Sequence, residues 1–486
     1  MADKQQQYGQ ISRAKPHHSV GFWDDRLKSV RTHLLGKWIT TICILMAFAS
    51  SILSLYWGFS YVVPEKLNSL TVHVVDFDGS QPPYVKVNPI VGPVMTHLTE
   101  RLNWKETSEQ LTYHVVGPEQ YDYDPIAVRR AVYDFKIWAA IVINPNATTA
   151  LIDAITSGNA SYDPTGAVQY TVMSARQERT YNKYIRPQLQ TITSNFMTQF
   201  GKNWTETILS NNSYAPAVMA RAPAAVNPGV VPLEIDLRPF GPSTATPAVS
   251  IGRVYLIVVA FLSCSFFMPL HANFLNHQDH PPLHFHHLTI YRWSTVVISY
   301  LFISLVSSLV SLCFGVRFTN PPASSTEVAF NATAYGHYSF PIYWAVNFAG
   351  LCALGLACEN AAMILGQRWA AMWLVFWVLM NDATSLYSLE LAPEFFRWGY
   401  ALPLHHVVEA SRHVLFDLKS NLALNFGVLV AWVVVGTALF PVCSYVLLRR
   451  VGRERKARDL IRDKWIVSAM DNDLDITKKV GEAPRR

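Results

Sequence analysis

The chain predicts an α-helical multipass membrane protein with six transmembrane helices and a mixed α/β extracytoplasmic domain between the first and second. Three observations carry this. Charged residues are 15% of the 486 while 50% are hydrophobic and 13% aromatic, against about 25% charged in soluble proteins. Apolar stretches near the roughly 20 residues that cross a bilayer recur six times. Lys and Arg concentrate at the two ends of the chain, and the net charge is +6. Together these exclude a disordered chain and an ordinary soluble globule.

Residues 1–37 read as a cytosolic N-terminal arm, with seven Lys/Arg and no apolar core of the secretory-signal type. The uncharged run 38–63, Trp38 to Val63, is 26 residues long and reads as the first transmembrane helix. Residues 64–253 read as the extracytoplasmic α/β domain with its linker. Within it, strands are expected at Leu70 to Val75 and Ile137 to Ile143, and helices at Val94 to Leu102 and about Val172 to Gln199. The Pro-, Ala- and Gly-rich stretch Ala215 to Thr246 reads as a linker. Residues 254–448 read as a five-helix transmembrane domain, with runs at Val254 to Pro269, Trp293 to Val316, Pro341 to Leu365, Trp369 to Leu389 and Asn425 to Leu448. A re-entrant or amphipathic segment is expected near 393–418, with Arg412 in the interface. Residues 449–486 read as a basic cytosolic tail with twelve Lys/Arg, anchored to anionic lipid heads rather than nucleic acid.

Basic ends place both termini in the cytosol. With six spans, the sequons at Asn146, Asn159, Asn203, Asn211 and Asn331 then all fall on the outer face, as expected for glycosylation acceptors. All six cysteines lie within expected spans, so the outer domain is expected to fold without disulfides.

Five groups of polar residues are candidates for chemistry. Asp76 and Asp78 end a hydrophobic strand two residues apart, a spacing that puts both carboxylates on one face. The string looks like the opening of a haloacid-dehalogenase-type phosphatase, but no later acidic metal motif accompanies it. A strand followed by an Asp-Gly turn is the favoured reading. Six of the sixteen histidines crowd into His271 to His287. Without cysteines, and with Pro281-Pro282 interrupting, this favours a polar loop over a metal site, and no metal is expected. His405, Glu409 and His413 share one face at helical spacing. Inside the expected spans, Glu359-Asn360 and Asn381-Asp382 stand as polar stations for transport or as bonds between helices. No phosphate-loop, dinucleotide-fold or Gly-x-Ser-x-Gly motif occurs, so no cofactor is expected.

The order of the elements, with Val74-Val-Asp-Phe-Asp-Gly79, Ala140-Ile-Val-Ile-Asn-Pro145, Ala401-Leu-Pro-Leu-His405, Arg412-His-Val-Leu-Phe-Asp417 and Asn425-Phe-Gly-Val-Leu-Val-Ala-Trp432, resembles the fungal nitrosoguanidine-resistance membrane protein family. The architecture is also similar to the membrane half of type-2 ABC exporters, without a nucleotide-binding domain. The resemblance implies a plasma-membrane protein associated with drug resistance and lipid organisation, with no established catalytic residues. The expectation is a transport or permeability factor whose partners are membrane lipids and small amphipathic molecules, with a homodimer or an energy-supplying protein as further partners. An internal membrane satisfies the same topology. Two other readings stay open: a membrane-embedded tailoring enzyme of fungal secondary metabolism using His405, Glu409, His413, Glu359 and Asp382 as acid/base groups, and a scaffold or regulator of lipid composition.

Overall fold

The computed structural model describes residues 22–103, 109–211, 214, 216–273 and 283–481. The chain divides between Trp57 and Gly58 into two units. The first consists largely of one helix, α1 (Lys28–Tyr61), which continues into the second. Many of its apolar side chains are open, Met46 at 65% and Trp57 at 67% exposure, as suits a helix exposed to lipid. α1 begins before Trp38 because Lys28, Arg31, Leu34, Leu35 and Lys37 are good helix formers and extend the helix beyond the uncharged run.

In the second unit a sheet is built from β1 (Thr71–Asp76), β2 (Thr112–Val116), β3 (Ala139–Ile143), β4 (Val168–Val172) and β5 (Leu233–Asp236), in the order β2-β1-β3-β4-β5. β1 runs parallel to both β2 and β3, β3 is antiparallel to β4, and β4 is parallel to β5. The crossovers from β1 to β2 and from β2 to β3 carry α2 (Gly92–Asn103) and α3 (Pro125–Tyr133). β3, Ala-Ala-Ile-Val-Ile, is buried along its whole length, as a central strand covered on both faces must be. Asp124 caps α3 by accepting from the Ile126 N–H, with Pro125 as the first helical residue. α4 (Ala147–Ser157) stops at Gly158, whose φ of +70° admits the left-handed turn.

Two local expectations are corrected. The helix expected from Val172 begins only after a tight turn, because Val168 to Val172 alternates and pairs with β3 as β4. The long helix is α5 (Arg186–Ser210), preceded by a π turn at Tyr181–Ile185. The stretch read as linker contains β5, whose four residues are too few to give a periodic signal.

The remaining helices are α6 (Val254–Asn273), α7 (Phe285–Cys313), α8 (Ser339–Leu365), α9 (Gln367–Leu386), α10 (Pro403–Phe416) and α11 (Leu422–Gly481). Among the described residues five stretches are long and apolar enough to cross a membrane: Lys28–Tyr61, Val254–His271, Phe285–Cys313, Gly336–Leu365 and Leu422–Ala457. The 20-residue α9 is a sixth helix but is not among them. α11 does not end at Leu448; its helix runs on through the basic segment to Gly481, since nothing between them breaks it.

α8 is the hub of the helical region, with 72% of its most apolar stretch buried. Neighbours reach its backbone where it has glycine: Val407 of α10 closes on Gly350, and the Tyr300 ring of α7 closes on Gly355, where even a methyl group would sit 2.5 Å from ring atoms. α7 starts before the expected Trp293 and so includes Arg292, which pairs with Glu359 of α8 at 3.1 Å, both deeply buried.

The short helix α10 is buried by the rest of the protein along nearly its whole length. Polar bonds tie it on two sides. At its C-terminal end Asp417 takes the left-handed conformation (φ +49°) and accepts from the 1%-exposed Arg238 at 2.9 Å. Arg238 follows β5 and also donates to the carbonyls of Leu237, Glu327 and Ser324. Mid-helix, Ser411 accepts from Arg253 at 2.8 Å, and Arg253 also donates to Asn347 of α8. A continuous apolar core runs from Val75 and Phe77 of the sheet through Leu237 and Phe318 to Val414 and Phe416 of α10. Asp417→Asn keeps the residue's tolerance of positive φ but removes the charge facing a buried guanidinium. It is expected to cost about 3–5 kcal/mol, the range for breaking a buried pair, read as earlier thermal unfolding of the detergent-solubilised protein.

Candidate functional site

The face of α10 that carries His405, Glu409, Arg412 and His413 looks into a cavity of about 230 Å³. The opposite wall comes from the sheet region, through Phe135, Trp138, Arg176 and Gln177. The rim is formed by Ser385 and Tyr387 at the end of α9 and by Asn421 and Asn425 at the start of α11. Helical spacing foresaw the α10 side of this site; nothing in the sequence signalled that residues about 236 positions earlier would face it.

Arg176 is placed by the turn that follows β4. Its guanidinium lies 3.6 Å from the Trp138 ring centroid and 4.6 Å from that of Phe135, donates to the Ile137 carbonyl at 2.9 Å and stands 3.7 Å from Glu390. The Trp138 indole donates to the other oxygen of Glu390 at 2.7 Å, so that carboxylate is held from two sides. Burial draws the Arg176 pKa down to about 10, opposed by the charges of Glu390 and Glu409.

On α10, His405 Nε2 meets Glu409 at 3.3 Å one turn on, and Glu409 keeps 41% of its side chain open to the cavity. Burial pushes the Glu409 pKa up, but the hydrogen bond from His405 and the nearby His405, His406 and Arg412 charges outweigh it and hold the carboxyl below its ordinary range. His406 is bonded at both nitrogens, to Asn425 Oδ1 at 2.8 Å and the Tyr400 carbonyl at 2.7 Å, and serves to pin α10 to α11. His413 is also held at both nitrogens: Nδ1 to the Leu418 carbonyl at 2.6 Å and Nε2 to the Tyr335 hydroxyl at 3.0 Å. Burial lowers its pKa despite the raising influence of that carbonyl and of Asp417.

Arg412 differs from these neighbours. It is 6% exposed, and among the described residues its Nε has no partner and its one bond is a long 3.5 Å contact from Nη1 to the Arg176 carbonyl. Burial draws its pKa down to about 10, with Glu409 and Glu178 opposing. It is inside the protein against the cavity.

The other expected residues lie elsewhere. Glu359 is taken up by Arg292, and Asn360 donates to the Gly436 carbonyl of α11 at 2.8 Å. Asn381 donates to the Trp377 carbonyl and accepts from the Leu404 N–H, bonding α9 to the start of α10. Asp382 sits beside it on α9. Arg292 escaped notice because it stands one residue outside an uncharged run, and a search for such runs stops at a charge. It borders a second, mostly apolar cavity of about 120 Å³ with His271 and Met268.

Asp78 is spent on structure: its oxygens receive the Thr148 N–H and hydroxyl, which starts α4. Asp76 accepts from the Asp78 N–H and packs against Gly92, and burial pushes its pKa up to about 6. Their arrangement is that of a strand and its Asp-Gly turn, with Gly79 at φ +68°. Of the clustered histidines, His277 and His280 lie outside the described residues, and among the described residues no group of three or more His, Cys, Asp or Glu is placed to hold a metal. Asn146, Asn159, Asn203 and Asn211 are exposed and Asn331 is half-buried.

Several helices long and apolar enough to cross a bilayer define a multipass membrane protein. The chain belongs to the family described as "Protein of unknown function (DUF3533)", whose pattern matches residues 41–438. It is 27% identical over 448 residues to "Uncharacterized endoplasmic reticulum membrane protein YJR015W" of Saccharomyces cerevisiae, covering 88% of this chain and 83% of that one. No solved structure matches.

His413 gives the site a pH dependence. The unfolded chain binds a proton at about 6.5 and the folded chain only below that, so its contribution to stability is complete above 6.5 and is lost as pH falls through the folded pKa. The unfolding temperature of the solubilised protein is expected to drop between pH 7.5 and pH 5.5, and to drop less in His413→Gln. Equal drops would remove His413 from the effect.

Proposed function

We propose that this protein is a non-enzymatic transport or permeability factor that receives amphipathic small molecules or lipids in the cavity beneath α10. The observation that carries this is the position of the cavity: charged groups gathered where α9 ends and α11 begins, the level at which apolar helix gives way to polar surface. Its Glu390 and His413 are held by fixed neighbours, which suits binding better than proton transfer. In this reading the termini are cytosolic, α9 completes six spans, the sheet region is extracytoplasmic, and the exposed sequons carry glycans. Glu359, Asn360, Asn381 and Asp382 form the polar track through the bundle, and a second copy or another protein supplies the energy. The resemblance to nitrosoguanidine-resistance proteins adds resistance to toxic compounds as the cellular outcome. The name of the yeast relative favours the endoplasmic reticulum over the plasma membrane as the compartment.

The second reading, a tailoring enzyme, is favoured by one observation: the His405–Glu409 pair opens to the cavity and could pass a proton. Metabolite and lipid profiles of deletion and overexpression strains, taken separately from cells and medium, distinguish the two. Transport predicts unchanged molecules with a shifted inside-to-outside ratio. A precursor that accumulates while its product vanishes would instead establish the enzyme. Glycosidase treatment tests the topology independently: a mobility shift lost in the variant with all five sequon asparagines changed to glutamine is expected, and no shift would contradict an outer sheet region.

A further inference from the structure

The cavity's lining indicates what it receives. Glu390 is satisfied by Trp138 and Arg176, and Glu409 by His405, so the two acids facing the space already have partners. Lys419 at the rim donates to the Asp134 carbonyl at 2.9 Å and remains exposed. Arg412 is left: a nearly buried guanidinium with five N–H donors, one long bond to a carbonyl and an unpartnered Nε. A buried cation without its hydrogen bonds is costly, and the cost falls when an anion occupies the space before it. Guanidinium matches an oxyanion by paired, charge-assisted bonds.

The surroundings narrow the class further. The volume of about 230 Å³ is below the roughly 300–1,000 Å³ of sites that enclose a drug-sized ligand, which suits a head group rather than a whole amphiphile. Tyr400 lines the cavity yet is 48% exposed, and Phe395 (66%) and Trp398 (36%) lie open on the same short helical segment, Glu394–Ala401. Exposed aromatic residues of this kind favour the membrane interface.

We propose that the cavity binds the phosphate-type oxyanion head of an amphiphile, held by Arg412 with Arg176 and Lys419 beside it and with the apolar tail leaving past Tyr400. This rests on the reading of the cavity as the ligand site, and it adds the ligand's charge.

The test is a binding titration of the full chain in a non-ionic detergent with three probes: dihexanoyl phosphatidate, inorganic phosphate and uncharged dihexanoylglycerol. Phosphatidate is expected to bind, phosphate to compete with it, and dihexanoylglycerol to bind far more weakly. Arg412→Gln should weaken phosphatidate by about 10- to 100-fold, the loss of charge-assisted hydrogen bonds. Phosphate binding as tightly as phosphatidate would keep the oxyanion and identify a free phosphate compound as its source. Dihexanoylglycerol binding as well as phosphatidate, or a folded Arg412→Gln variant binding phosphatidate normally, would overturn the oxyanion and leave the cavity as a site for neutral amphiphiles. Binding of none of the three would overturn both. The wild-type arms decide the matter even if the variant does not fold.

Discussion

The Arg238–Asp417 pair is the contact on which the candidate site depends. One partner follows β5, the other closes α10, and the guanidinium also gathers carbonyls from the segment at 323–327. A buried charge pair adds little net stability over an apolar equivalent, because desolvation cancels much of the attraction, but losing one partner is expensive. Such a pair therefore selects a geometry more than it strengthens the fold. Here the selected geometry sets α10 against the turn that carries Arg176, and the cavity is the space left between them.

The helical region is arranged around the same short helix. Arg253 ties Ser411 of α10 to Asn347 of α8, His406 ties α10 to Asn425 of α11, and Asn381 of α9 receives the Leu404 N–H at its start. Gly350 lets Val407 approach the α8 backbone, so α10 lies closer to α8 than a larger residue would allow. With these bonds made, the histidines of α10 are largely committed, and Arg412 is the group on that face with donors to spare.

Much of the fold was legible in the sequence, because apolar run length and strand alternation are local properties. β1 and β3 fall where alternation and burial predicted them, and His405, Glu409 and His413 do share a face. What could not be read is pairing across distance. Arg292 and Glu359 are 67 residues apart, Arg238 and Asp417 179. The other wall of the cavity, Trp138 and Arg176, has no motif; each is an ordinary residue after or before a strand until the fold brings α10 to it. β5 was lost in a Pro- and Gly-rich stretch for a related reason: four residues gain their meaning from the strand beside them.

The proposed ligand's charge is met by Arg412 in the space between α10 and the sheet. The most direct measurement is an experimental density map of the protein in a nanodisc containing an anionic phospholipid. The account predicts density for a head group within hydrogen-bond distance of the Arg412 guanidinium. A well-ordered α10 above a cavity holding only water, with lipid head-group density instead beside His271 and Arg292, would contradict it.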